Sequence, residues 1–178
     1  WEALARHREA QTSATPATSK AGSDEHPNYE NMLSREGTLQ DYVVAQVGEL
    51  DFDEKEKKVA TSLIGNIDEK GYLSATIEEI AESEGVEVEF VDGILDTIQR
   101  LEPAGIAARD LKECLLLQLR QNRQRNGIVE KIVDQHLTEL ETRNFNVIAK
   151  SLKISLDQVI ENVAIIAELE PVPGRQFG

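Results

Sequence analysis

Gly85-Val86-Glu87-Val88-Glu89-Phe90 is the stretch on which the fold turns. Its apolar and acidic residues alternate as in a half-buried strand, whose successive side chains point to opposite faces. The surrounding sequence decides against a strand. Shifted by 68 positions, Ile77 to Pro103 falls on Phe145 to Pro171: Ile80-Ala81 on Ile148-Ala149, Val86 on Ile154, Val91 on Val159, Leu95 on Val163, Ile98 on Ile166, and Leu101-Glu102-Pro103 on Leu169-Glu170-Pro171. In the second copy the alternation is gone, Ser155 and Gln158 have the spacing of a capping box, and both copies continue with apolar residues at helical intervals. Each copy reads as a short helix, a tight turn at Gly85 or Lys153, and a longer helix. That is the arrangement of a helix-turn-helix, and the chain contains it twice.

The pattern outside the repeat is also helical. Thr38 is placed to cap a helix carrying Leu39, Tyr42, Val43, Val47 and Leu50, and Asp53 to cap another whose buried stripe is Ala60, Leu63, Ile64 and Ile67. Asn66 to Leu73 reads as a turn, with Asp68 bonding the backbone ahead of it and Gly71 supplying a positive φ. Cation binding is the weaker reading of Asp68 and Glu69, and Asp51 with Asp53 lacks the spacing and glycine of a calcium loop. Between the copies, Pro103 and Gly105 break one helix, and the next is expected to bury Leu111, Cys114, Leu115 and Gln118 or Leu119. A further helix is expected from Ile128 to Glu141. The expected fold is all-α: two small helical subdomains, 38-102 and 103-178, each ending in a helix-turn-helix-like unit, preceded by a disordered, flexible linker over 1-37. The linker reading rests on Gln11 to Asn28, which has no large apolar residue to offset the entropy of ordering.

Composition narrows the function. The 178 residues are 40% hydrophobic and 4% aromatic, with a net charge of −14. Residues 1–37 contribute −2, residues 38–102 contribute −12, and residues 103–178 are neutral. Such a balance disfavours a non-specific nucleic-acid binder, because phosphates would be repelled from most of the surface. No apolar run approaches the roughly 20 residues of a membrane span, and no signal-type stretch follows Trp1, so a cytoplasmic piece of a longer chain is expected. Cys114 is the single cysteine and has no neighbouring histidine to activate it, so it reads as a small core residue. Three scattered histidines make no ligand cluster, His136 reading as a core-edge residue. With no phosphate loop and no metal-ligand spacing, neither an enzyme nor a cofactor is expected.

Three stretches carry a more specific signal: Gly65-Asn66-Ile67-Asp68-Glu69-Lys70-Gly71-Tyr72-Leu73, then Glu102-Pro103-Ala104-Gly105-Ile106-Ala107-Ala108-Arg109-Asp110-Leu111-Lys112-Glu113-Cys114-Leu115-Leu116-Leu117-Gln118-Leu119, then Glu170-Pro171-Val172-Pro173-Gly174-Arg175. In this order they resemble the core-binding domain of the enhancer-dependent sigma factor of bacterial RNA polymerase, the sigma-N or sigma-54 class, over about residues 38–178. The sequence departs from the family at Ala107, where glycine is frequent, and at Glu170, where Asn or Asp is usual. The resemblance implies docking on core RNA polymerase during transcription initiation. It implies contact with the ATP-dependent activator and with promoter DNA only through parts outside this chain, and a monomer when isolated.

The chief alternative is a sequence-specific DNA-binding helix-turn-helix protein. Tyr72 to Gln99 argues against it, since Glu78, Glu79, Glu82, Glu84, Glu87, Glu89, Asp92 and Asp96 stand there without a Lys or Arg. Gly105, Arg109, Asp110, Lys112 and Glu113 are the candidate polymerase-binding residues. The corner after Pro103 starts a helix whose apolar residues turn inward, which turns charged side chains outward.

Overall fold

A computed structural model describes residues 37–122 and 126–177. Residues 1–36 of the expected linker therefore lie outside the described residues. Among the described residues there are nine α-helices and one short 3₁₀ helix, with strand-like pairing limited to two isolated bridges. The all-α expectation is met. The helices form two compact units, whose described parts are residues 37–110 with 172–177, and residues 111–122 with 126–171.

The first unit is built from four helices, the first three of which have side-chain N-caps. Helix α1 (Leu39–Gly48) starts at Thr38, whose side chain accepts the N–H of Asp41, and buries Leu39, Val43 and Val47 on one stripe. Helix α2 (Glu54–Gly65) starts in a reciprocal capping box between Asp53 and Glu56 and buries Val59, Ala60, Leu63 and Ile64. Helix α3 (Ile77–Glu84) has a second capping box, Thr76 with Glu79, and stops at Gly85, whose φ of 65° is readily adopted by glycine. Helix α4 (Val88–Ile98) then buries Val91, Ile94, Leu95 and Ile98, so the alternating stretch is no strand: Gly85 to Glu87 makes the turn and the helix begins at Val88. Of the apolar residues read onto α1, Tyr42 is 42% exposed with its ring 5.3 Å from that of Phe177, and Leu50 lies beyond the helix end.

The second unit contains α5 (Leu111–Gln121), α6 (Gly127–Gln135), α7 (Leu137–Glu141), α8 (Phe145–Leu152) and α9 (Leu156–Ala167). Its last two helices copy α3 and α4: Lys153 takes the left-handed turn at φ 57°, and Ser155 and Gln158 form the expected capping box. The paired apolar positions share one role, for Ile80 and Ile148, Val91 and Val159, Leu95 and Val163, and Ile98 and Ile166 are all buried. One expectation fails here. The helix foreseen over Ile128–Glu141 is interrupted at His136, whose backbone at φ −130° leaves the helical region and separates α6 from α7. No glycine or proline marks the break.

Thr76 and Ser155 each hold a reciprocal capping box, at different positions of the repeat, and Thr76→Ala and Ser155→Ala are each expected to cost about 1 kcal/mol of stability. Urea unfolding followed by circular dichroism measures this, with folded-state helix content unchanged.

Candidate docking surface

The turn after α2 is a small closed hairpin. Asp68 N–H donates to the Tyr72 carbonyl at 2.8 Å, and Gly71 N–H donates to the Asp68 carbonyl at 3.0 Å. The Asp68 carboxylate accepts the N–H groups of Lys70 and Tyr72, each at 3.0 Å. Asp68 suits the turn because its short side chain reaches the backbone N–H two residues on, as an asparagine's would, and Gly71 sits at φ 97°.

Two distant stretches bond to this hairpin. Ala107 N–H donates to the Gly71 carbonyl and Leu73 N–H to the Ala108 carbonyl, both at 2.9 Å, while Gly174 N–H donates to the Lys70 carbonyl at 2.9 Å. A Cβ at Gly174 would overlap the Glu69 carbonyl oxygen, and one at Gly71 would stand 3.1 Å from Gly174 N. Residue 174 is glycine because two backbones pass too closely there for any side chain. The three stretches singled out in the sequence thus meet at one place in the first unit.

The central stretch divides into a buried half and a charged half. Ile106, Ala107 and Ala108 are fully buried in the first unit, and the buried Gln99 amide donates to the Ala107 carbonyl at 3.1 Å. Ala107 holds φ 61°, a conformation that costs a Cβ-bearing residue about 1–2 kcal/mol. Glycine adopts this conformation without that cost. Of the candidate binding residues, Gly105 is buried at φ 89° and shapes the corner, while Arg109 and Asp110 follow exposed at the end of the first unit. Lys112 is exposed in the first turn of α5 with its ammonium 4.0 Å from the Asp134 carboxylate, and Glu113 is half-buried in the same turn. The Lys112–Asp134 pair, exposed on both sides, contributes little to stability.

Two glutamines have roles the sequence does not announce: Gln46 is not singled out there, and Gln118 is expected only as an alternative to Leu119 on the buried face, where both Gln118 and Leu119 are buried. The Gln46 amide donates to the Glu102 carbonyl at 2.6 Å and accepts the Glu102 N–H at 2.8 Å. In the second unit, the Gln118 amide donates to the Glu170 carbonyl at 2.6 Å and accepts the Glu170 N–H at 2.7 Å. Each glutamine grips, from both sides, the residue before a repeat-ending proline. A signal for them was present: Leu39 to Val47 lies over Leu111 to Leu119 at a shift of 72, placing Gln46 on Gln118. That shift differs from 68 by about one helical turn, so the duplication extends to the first helix of each unit. Cys114 is fully buried with its sulfur 3.4 Å from the Gln118 amide, a core position rather than a nucleophile's.

The remaining surface features are few. Among the described residues no group of three or more His, Cys, Asp or Glu has the arrangement of a metal site. Nor is any helix among them long and apolar enough to cross a membrane. His136 is buried, its Nδ1 lying 3.8 Å from the Glu139 carboxylate. Glu78, Glu79, Glu82, Glu89, Asp92 and Asp96 are exposed on α3 and α4, an acidic face of the wrong sign for a DNA groove. A groove of about 440 Å³ beside the hairpin is lined by Thr38, Leu39, Gln40, Ile67, Asp68, Glu69, Gly174 and Phe177.

The protein family described as sigma-54 factor, core binding domain matches residues 28–178. The RNA polymerase sigma-54 factor of Escherichia coli strain K12 is 34% identical over 174 residues, covering 93% of this chain and 36% of that relative. The sigma-54 factor of Bacillus subtilis strain 168 is 36% identical over 140 residues, covering 79% of this chain and 32% of its own length. The one from Vibrio anguillarum is 30% identical over 169 residues, 92% and 34% of the two chains. This chain therefore spans about a third of the length of the curated relatives it matches.

The close passage at Gly174 and the doubly bonded Gln118 yield separable outcomes. Gly174→Ala is expected to detach residues 172–177, with faster amide exchange at Gly174 while Val91 and Ile98 stay protected. Gly93→Ala, in open space on α4, is expected to stabilise by about 0.5–1 kcal/mol. Gln118→Ala leaves both polar groups of Glu170 without the glutamine and is expected to cost about 1–3 kcal/mol. Gln46→Ala should cost less, since water reaches its more exposed site. Chemical denaturation of the four variants distinguishes these outcomes.

Proposed function

The chain belongs to the sigma-54 factor family, of which it carries the core binding domain, and from that premise we propose that it docks on core RNA polymerase in transcription initiation. It acts by protein–protein contact, without a catalytic step. The observation that carries the reading is the meeting of the three family-like stretches at the hairpin. Their mutual hydrogen bonds fix the corner from which the exposed Arg109 and Asp110 leave the first unit. A corner held by backbone bonds presents charges in a set direction, so little entropy is lost when a partner binds.

In this reading residues 1–37 connect and the helical parts 38–102 and 103–178 dock. Arg109, Asp110, Lys112 and Glu113 meet the polymerase, and Gly105 shapes the chain that bears them. The activator and the promoter are engaged through chain outside these 178 residues, and the isolated piece is a cytoplasmic monomer. Supporting the docking reading over the DNA-binding alternative, the helix-turn-helix-like pair of the first unit is acidic. The second unit sets Lys150 and Lys153 against Asp157, Glu161 and Glu168.

Titrating labelled core RNA polymerase with this chain tests the proposal. Tight binding is expected, and Arg109→Glu with Lys112→Glu is expected to weaken it by about 1–3 kcal/mol while helix content and melting stay unchanged. Duplex promoter DNA mixed with the same chain at physiological salt is expected to show no sequence-dependent shift. Undiminished polymerase binding by the folded double variant would take these side chains out of the interface.

A further inference from the structure

The hairpin that borders the groove has no counterpart among the described residues of the second unit. Where the first unit places the Asn66–Ser74 hairpin between α2 and α3, the second places α7, with Leu140 fully buried. The groove's floor is Leu39, which opens α1, and Ile67, which follows α2; the Gln40 amide bridges them by donating to the Ile67 carbonyl at 2.9 Å. Phe177 stands on one side, steadied by Tyr42. Gly174 stands nearby and cannot be replaced by a residue that fills the space, because its Cβ would overlap the Glu69 carbonyl oxygen. The same backbone approach that ties the three stretches together therefore leaves an apolar hollow. Its rim carries the exposed carboxylates of Asp68 and Glu69.

This chemistry restricts the occupant. An apolar floor takes a large aliphatic or aromatic side chain, and two carboxylates at the rim favour a cation beside it. The setting reinforces the sign: residues 38–102 hold 17 acidic and 5 basic side chains, so an acidic peptide or a nucleic acid is repelled before it arrives. Resting on the docking reading given above, we propose that this groove seats an apolar-basic segment of core RNA polymerase. A Leu, Ile, Met or Phe lies on the Leu39–Ile67 floor, and an adjacent Lys or Arg meets Glu69 and Asp68. The groove is then a contact of the first unit additional to the charges around Arg109.

The test uses the 178-residue chain and purified core RNA polymerase. Glu69→Arg is expected to weaken the complex about tenfold with unchanged melting, while Glu82→Arg, the same charge change on the exposed face of α3, stays within about twofold of the parent. A photo-crosslinking amino acid at position 69 is expected to capture a polymerase peptide with Lys or Arg next to a large apolar residue. Equal losses for Glu69→Arg and Glu82→Arg would reduce the effect to bulk charge and overturn the proposal. So would capture of residues 1–36 of the same chain, or of a second copy, in the presence of polymerase. Unchanged affinity for Glu69→Arg, with weakening by Arg109→Glu and Lys112→Glu, would remove the groove and keep the docking reading. Failure of the parent chain to bind polymerase would remove the docking reading itself.

Discussion

The bond from Gly174 N–H to the Lys70 carbonyl, made across a gap too narrow for a Cβ, is the constraint on which the first unit depends. It holds the last described residues against a turn about 100 positions earlier in the chain. The same turn accepts from Ala107 through Gly71 and donates to Ala108 through Leu73, so three separate lengths of backbone satisfy one another's polar groups. Buried amides and carbonyls must find partners, and here they find them without a sheet. Asp68 makes this work locally by bonding two N–H groups inside the turn, which leaves the outward carbonyls of Lys70 and Gly71 for the incoming segments.

Duplication explains much of the rest. Two helix-turn-helix-like pairs bury equivalent apolar residues, and two glutamines, Gln46 and Gln118, hold the backbone before Pro103 and Pro171 in the same two-way grip. An amide suits this role because it offers a donor and an acceptor in one plane, matching the carbonyl and N–H of a single residue. The copies diverge where they meet solvent. Glu79 and Asp92 of the first unit stand where the second has Val147 and Ile160, all four exposed. Packing constrains the inward positions of both copies alike, while the outward ones are free to follow function.

The charge distribution fits a protein partner. An acidic first unit and a near-neutral second are poorly suited to phosphates, yet clusters of exposed charge suit encounter with a complementary protein surface, where they govern rate and register more than total affinity. The buried Ile106–Ala108 segment gives the neighbouring charges a rigid base. Its cost includes the left-handed Ala107, a strain tolerated because the Gly71 carbonyl and the Gln99 amide hold that residue in place.

The sequence by itself determined the helices, their caps and the repeat. Asp53, Thr76, Ser155, Gly85 and Lys153 act through neighbours three or four residues away, and apolar periodicity reports burial of a local face. It also marked the three stretches that characterise the family, and the turn at Asp68 and Gly71. Tertiary structure alone decided that those stretches meet, that residues 172–177 join the first unit, that Tyr42 stands exposed beside Phe177, and that the helix foreseen through His136 breaks. Each of these depends on groups far apart in the chain or on a packing alternative that local spacing leaves open. A glycine such as Gly174 looks like any other turn glycine until the backbone that crowds it is in place, because steric exclusion between distant segments leaves no periodic trace in sequence.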